Sequence, residues 1–233
     1  MVINYSGLLA RLLACVLLAS PLISAGEDVA GSSFPGLSLK GFGTLGAAHS
    51  DDGRAQFVRD LTQLNGLRSG WSANTDSVLG LQANAKFSDQ TEVVIQATSR
   101  YRYDGTYKPE LSWAFVRHDF SPDISLRLGR MGTEFYMLAD SRLVGYANLT
   151  VRPPSDYYGP LVISHFDGLD ASATTKLESG PLSGGLLRGK LFAGYAAEKA
   201  PINDQVSLDL NGSLLVGRSE EHTSELQSQS HIS

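Results

Sequence analysis

The chain has 233 residues, a formal net charge of −5, 42% hydrophobic residues and a single cysteine. It carries no basic run of the kind that nucleic acid requires, and the lone Cys15 excludes an internal disulfide framework. Beyond the N-terminus, no apolar stretch approaches the roughly 20 residues of a membrane-spanning helix.

Met1 to Ala25 has the layout of a secretory signal. Arg11 supplies the positive region, Leu12 to Ile23 is apolar, and Ile23-Ser24-Ala25 offers small residues before a cut at Gly26. Pro21 and the shortness of the apolar run argue against a transmembrane helix. Cys15 would leave with this segment, and the mature chain would have no thiol for metal or catalysis.

From Leu37 to Val216 the sequence repeats one unit, about ten residues of alternating apolar and polar side chains followed by a turn or loop. In Ser77 to Phe87, Leu79, Leu81, Ala83, Ala85 and Phe87 share one face and Gly80, Gln82, Asn84 and Lys86 the other. Successive side chains of a strand point to opposite faces, so the pattern predicts a strand with one greasy and one wet side. Eight such strands are expected, over 37–48, 76–88, 90–103, 109–120, 124–132, 163–177, 185–196 and 206–216. In the fourth, Arg117 and Asp119 fall in phase with Leu111, Trp113 and Phe115, which points to a bulge or a protected face.

Ser88-Asp89-Gln90 and Ser121-Pro122-Asp123 predict tight turns, whereas 49–75 and 133–162 are long loops. With an N-terminal signal, this alternation predicts an all-β fold, an antiparallel transmembrane β-barrel of the outer-membrane type. Phe87 and Phe120 at one end, and Tyr101, Tyr103, Tyr195 and Trp113 at the other, fit aromatic girdles.

The wet faces would line the lumen. Lys40, Lys86, Arg100, Arg102, Arg127, Arg188 and Lys190 fall there, with Lys176, and outnumber Glu92, Asp170 and Asp209. Such a wall would concentrate anions. The loop 133–162 is apolar and aromatic, and so long a loop is expected to be functional. It is read as a constriction folded into the lumen, with Asp140, Arg142, Arg152 and Asp156 facing the path.

Other motifs carry less. Gly41 to Gly46 spells GxGxxG but sits inside an expected strand and opens no helix. His49, His118 and His165 lack metal-site spacing, and no GxSxG elbow occurs. No catalytic residue, cofactor or metal is assigned. A barrel-wall hydrolase would need a serine and a histidine brought together from different strands.

Arg218 to Ser228 reads RSEEHTSELQS, which matches the in-frame translation of a common short-read sequencing adapter. Residues 218–233 are therefore read as a non-native tail. Without it and the signal, residues 26–217 carry a charge of −4, since Arg11 and Arg218 leave together with Glu220, Glu221 and Glu225.

Lys40 to Gly46, Ser77 to Gln82, Arg127 to Arg130, Val144 to Asn148 and Arg152 to Pro154 resemble the Gram-negative outer-membrane porins of proteobacteria. The resemblance implies a barrel of about 16 strands, a homotrimer when full length, contact with outer-membrane lipid, and passage of small hydrophilic or anionic solutes. In that family the constriction loop also joins the fifth and sixth strands. The chain has eight strands and lacks the terminal aromatic residue of the family, as expected of an N-terminal part of such a barrel. The alternative is a small closed eight-stranded barrel with a structural or adhesive role.

Overall fold

The computed structural model describes residues 36–63, 65–134, 141–176, 185–201 and 206–223. The expected signal, Asp140 and residues 224–233 lie outside the described residues. The described strands are β1 (Leu37–Thr44), β2 (Ala48–Ser50), β3 (Gly70–Ser72), β4 (Val78–Ser88), β5 (Thr91–Arg100), β6 (Glu110–Ser121), β7 (Ile124–Gly132), β8 (His165–Lys176), β9 (Leu186–Ala196), β10 (Lys199–Pro201), β11 (Ser207–Asp209) and β12 (Leu214–Thr223).

The fold is all-β. Eight long strands form one antiparallel meander in the order β1-β4-β5-β6-β7-β8-β9-β12, and β1 does not pair with β12. The sheet is therefore open among the described residues. Two small hairpins, β2–β3 and β10–β11, decorate the connections at one end. That end, the loop end, also carries the connection from β7 to β8, whereas residues 89–90 and 122–123 turn tightly at the opposite, turn end.

Seven of the eight expected strands form within three residues of their predicted limits at most ends. The eighth does not. Residues 206–216 break at a turn in which Gly212 has φ +80°, the Asn211 amide donates to Asp209 Oδ1 at 3.0 Å, and the Ser213 amide donates to the Leu210 carbonyl at 3.1 Å. An Asn-Gly pair favours such a turn because glycine takes positive φ without a Cβ clash. The long strand starts after it and takes in Arg218 to Thr223, in antiparallel register with Leu191 to Leu186.

Register sorts the side chains. One row crosses all eight strands as Leu37, Ala85, Val93, Val116, Leu128, Leu169, Ala193 and Val216. This outer face is largely apolar, with Leu79, Leu81, Ile95, Leu128, Leu191 and Val216 all open to the surroundings, and it also carries the pair of Arg130 with Asp167 at 2.7 Å. The neighbouring inner row runs Lys86, Glu92, Arg117, Arg127, Asp170 and Phe192. Hydroxyl and amide pairs continue that polar surface, with Thr98 to Ser112 at 2.6 Å, Ser125 to Ser172 at 2.7 Å and Gln96 to Gln82 at 2.9 Å.

The expected irregularity in β6 is a bulge. Trp113 pairs with Gln96 and Leu111 with Ala97, which skips Ser112. Leu111 thereby joins the outer face while Trp113, Phe115 and Arg117 turn inward. Trp113 consequently packs against the inner cluster of Val94, Phe115, Met131 and Phe166 rather than joining a rim of aromatics. Each such apolar side chain taken from water contributes about 1.5–3 kcal/mol. Beside this cluster, Gly129, Gly168 and Gly194 lie in register on β7, β8 and β9. A Cβ on Gly168 would stand 2.2 Å from the Ala193 carbonyl oxygen, so the backbones approach too closely there for any side chain.

Candidate functional site: the inner face and its loop

The connection between β7 and β8 packs across the inner face. It leaves β7 at Thr133, whose hydroxyl donates to the Ile163 carbonyl at 2.6 Å where the loop returns. Its far end forms one 3₁₀ turn, Gly145–Ala147, beside Thr44 of β1. A single helical turn, Ser155–Tyr158, begins the way back. The loop between β1 and β4 meets it: the Leu61 amide donates to the Gly159 carbonyl at 3.0 Å, and Arg59 Nη2 donates to the Arg142 carbonyl at 2.7 Å. Arg152 pairs with Asp76 and lies over the Phe57 ring, 4.5 Å from its centre.

Charges gather where these loops touch the sheet. Arg100 Nη1 on β5 meets Asp60 Oδ2 at 2.8 Å, both side chains almost fully buried. Burial opposes the Asp60 charge, but Arg100, Arg142 and two hydrogen bonds from Thr62 more than offset it and hold the carboxyl down at about 2. Arg142 is itself buried, and burial with the repulsion of Arg100 lowers it to about 10 against the pull of Asp60 and Glu198. Arg102 bridges Glu110 and Glu198, and Glu198 Oε1 also meets His165 Nδ1 at 3.1 Å.

A second group lies lower on the wall. Arg127 Nε donates to both Asp170 oxygens at 3.0 Å, its Nη2 reaches Glu134 Oε1 at 3.2 Å, and Glu134 also holds Lys190. Burial alone would raise the Glu134 carboxyl, but the ammonium of Lys190 and the guanidinium of Arg127 bring it below its ordinary value.

The predicted wall cations thus fall into two sets. Arg100, Arg102, Arg127 and Lys190 are neutralised by carboxylates, most of them carried by loops. Lys40 and Lys86 are exposed on the inner face and form no ion pair with the described residues; Arg188, opposite Thr174, is exposed as well. Asp209 lies on the β10–β11 hairpin, off the main wall. Of the predicted loop residues, Arg142 is buried against the sheet, Arg152 is half-buried in its pair with Asp76, and Asp156 is exposed. The acids Asp60, Asp76, Glu134 and Glu198 are not evident as partners from sequence. One signal was present: Arg59-Asp60 stands between Val58 and Leu61, and charge inside an apolar segment asks for a partner.

Ser164, His165 and Glu198 come together, but not as a relay. Ser164 Oγ and Glu198 Oε1 both address His165 Nδ1, at 3.0 and 3.1 Å, whereas a triad uses the two ring nitrogens separately. No group of three metal-binding side chains occurs among the described residues. No helix among them is long and apolar enough to cross a membrane, which leaves crossing by strands open.

No protein-family model and no curated protein matches this chain.

Proposed function

We propose that the chain is the N-terminal part of a Gram-negative outer-membrane porin, a passive diffusion channel for small hydrophilic solutes. The observation that carries this reading is the sorting of the sheet's two faces. An apolar row crosses all eight strands on one side, with Val116, Leu128, Leu169 and Val216 exposed in it, and a charged, hydrogen-bonded row with a loop packed over it occupies the other. A strand sheet in lipid needs that division, because its outer side chains meet hydrocarbon and its inner ones meet water. The tight turns at one end and the long loops at the other agree with it. The open β1 and β12 edges support an incomplete wall over a closed eight-stranded barrel, since unpaired backbone groups in hydrocarbon are costly.

Preference for anions rests on Lys40, Lys86, Lys176 and Arg188, exposed cations of the wall; the paired cations contribute little net field. The loop from β7 to β8 narrows the path. Bilayer conductance of the full-length protein, whose further strands would close the wall, tests the reading under a salt gradient: stepwise ohmic currents with an anion-signed zero-current potential support it, and a silent bilayer refutes it.

A further inference from the structure

Five guanidiniums stand buried or half-buried at the loop end of the inner face, on Arg59, Arg100, Arg102, Arg142 and Arg152. Among the described residues, the buried or half-buried carboxylates facing them are Asp60, Asp76, Glu110 and Glu198. Asp104 also feels Arg102, but it is exposed and bound to Thr106. The described cluster therefore carries one positive charge more than its enclosed carboxylates balance. An unbalanced charge away from water is expensive.

Among the described residues, two buried donors also have no acceptor, Arg100 Nε and Arg102 Nε. An anion beside Arg100 would balance the charge and offer the Arg100 donor an acceptor. The structure has room for it. A cleft of about 40 Å³ lies between the Arg142 turn and the sheet, lined by Arg100, Arg142, His165, Ser112 and Trp113, and by Glu110, whose carboxylate pairs with Arg102. One water needs roughly 10–15 Å³ measured in this way, so the cleft is larger than a single water requires.

We propose that this cleft, between the Arg142 turn and the inner face of β5 and β6, binds one small monovalent anion of halide or formate size. Arg100 and Arg142 hold the ion, and the ion ties the loop to the sheet. The site is separate from the transport reading, because it needs only the packing of loop on sheet.

Trp113 lines the cleft, and the chain has just two tryptophans, so Trp71→Phe makes Trp113 the sole indole reporter. The full chain carrying that change is folded in detergent and titrated with iodide at constant ionic strength. Quenching that saturates, and that chloride reverses by competition, is expected. In Arg142→Gln the saturating phase disappears, whereas quenching by neutral acrylamide keeps its linear form. Linear iodide quenching without chloride competition in the Trp71→Phe chain overturns the proposal.

A second measurement does not depend on the Arg142 variant folding. The unfolding midpoint of the unmodified chain should be higher in chloride than in gluconate at equal ionic strength, because a ligand bound to the folded state stabilises it by mass action. Equal midpoints overturn the proposal. So does a chloride effect that appears only in Asp140→Asn, since that carboxylate would then supply the missing charge.

Discussion

Arg100 and Asp60 meet at 2.8 Å from positions 40 residues apart, with side chains 4% and 7% exposed. This pair ties the loop between β1 and β4 to the inner face of β5, and Arg142 brings the second loop to the same place. Replacing Asp60 with Asn leaves the Arg100 charge buried without its counter-charge. The expected cost is about 3–5 kcal/mol, read as a lowered unfolding midpoint in detergent and faster proteolysis of both loops.

The same carboxylate sets an acid limit. Its folded value of about 2 lies below its unfolded one, so the unfolded chain takes up the proton first. Its contribution to stability is fully present above about pH 5 and is lost as pH falls from about 4 towards 2. Glu134 and Glu198 are shifted in the same direction and add to the effect. Unfolding midpoints of the unmodified chain and Asp60→Asn, followed from pH 7 to pH 2, should converge in acid.

Gly168 and Gly189 lie on adjacent strands and give opposite expectations. A Cβ at Gly168 meets the Ala193 carbonyl oxygen at 2.2 Å, while one at Gly189 meets nothing within 4 Å. Gly168→Ala should therefore destabilise by about 1–3 kcal/mol as the strands are forced apart. Gly189→Ala should stay within about 0.5 kcal/mol of the unmodified chain when all three are unfolded in urea.

Much of this sheet was legible because period-two alternation leaves a direct mark on the sequence. Arg117 and Asp119, falling in phase with Leu111, Trp113 and Phe115, announced the β6 bulge in the same way. The eighth strand was misplaced because Leu208, Leu210, Gly212 and Leu214 continue the alternation through an Asn-Gly turn that outweighs it. The balance of charge on the wall was not legible. Glu134 reaches Lys190 across 56 residues and Arg102 reaches Glu198 across 96, and alternation within one strand carries no information about such partners.

The apolar outer pattern stops within β12. Leu214 and Val216 share that face with Arg218 and Glu220, and Arg218 stands opposite the exposed Leu191. A cation on a lipid-facing strand costs about 2–4 kcal/mol at the bilayer midplane. Arg218→Leu should thus raise the unfolding midpoint in lipid vesicles but leave it nearly unchanged in aqueous urea without lipid.

Selectivity should follow the exposed cations rather than the paired ones. Charge reversal at Lys40 and Lys86 together is expected to lower the anion-to-cation permeability ratio by about 2-fold or more, through loss of local positive field. Arg127→Gln should instead perturb folding, since it abandons Asp170 and Glu134. Zero-current potentials in a salt gradient, with midpoints on the same samples, separate the two outcomes.

Which face of the sheet meets lipid can be measured directly. Cys15, the single cysteine, lies in the expected signal, so the chain from Gly26 onward carries no native thiol. Single cysteines placed in turn at positions 188 to 193 of β9, in protein reconstituted into vesicles, are exposed to a charged, water-soluble thiol reagent. Labelling is expected at 188, 190 and 192 and protection at 189, 191 and 193, a strict alternation with the inner face wet. Labelling of both faces alike, or protection of the inner face alone, would contradict it.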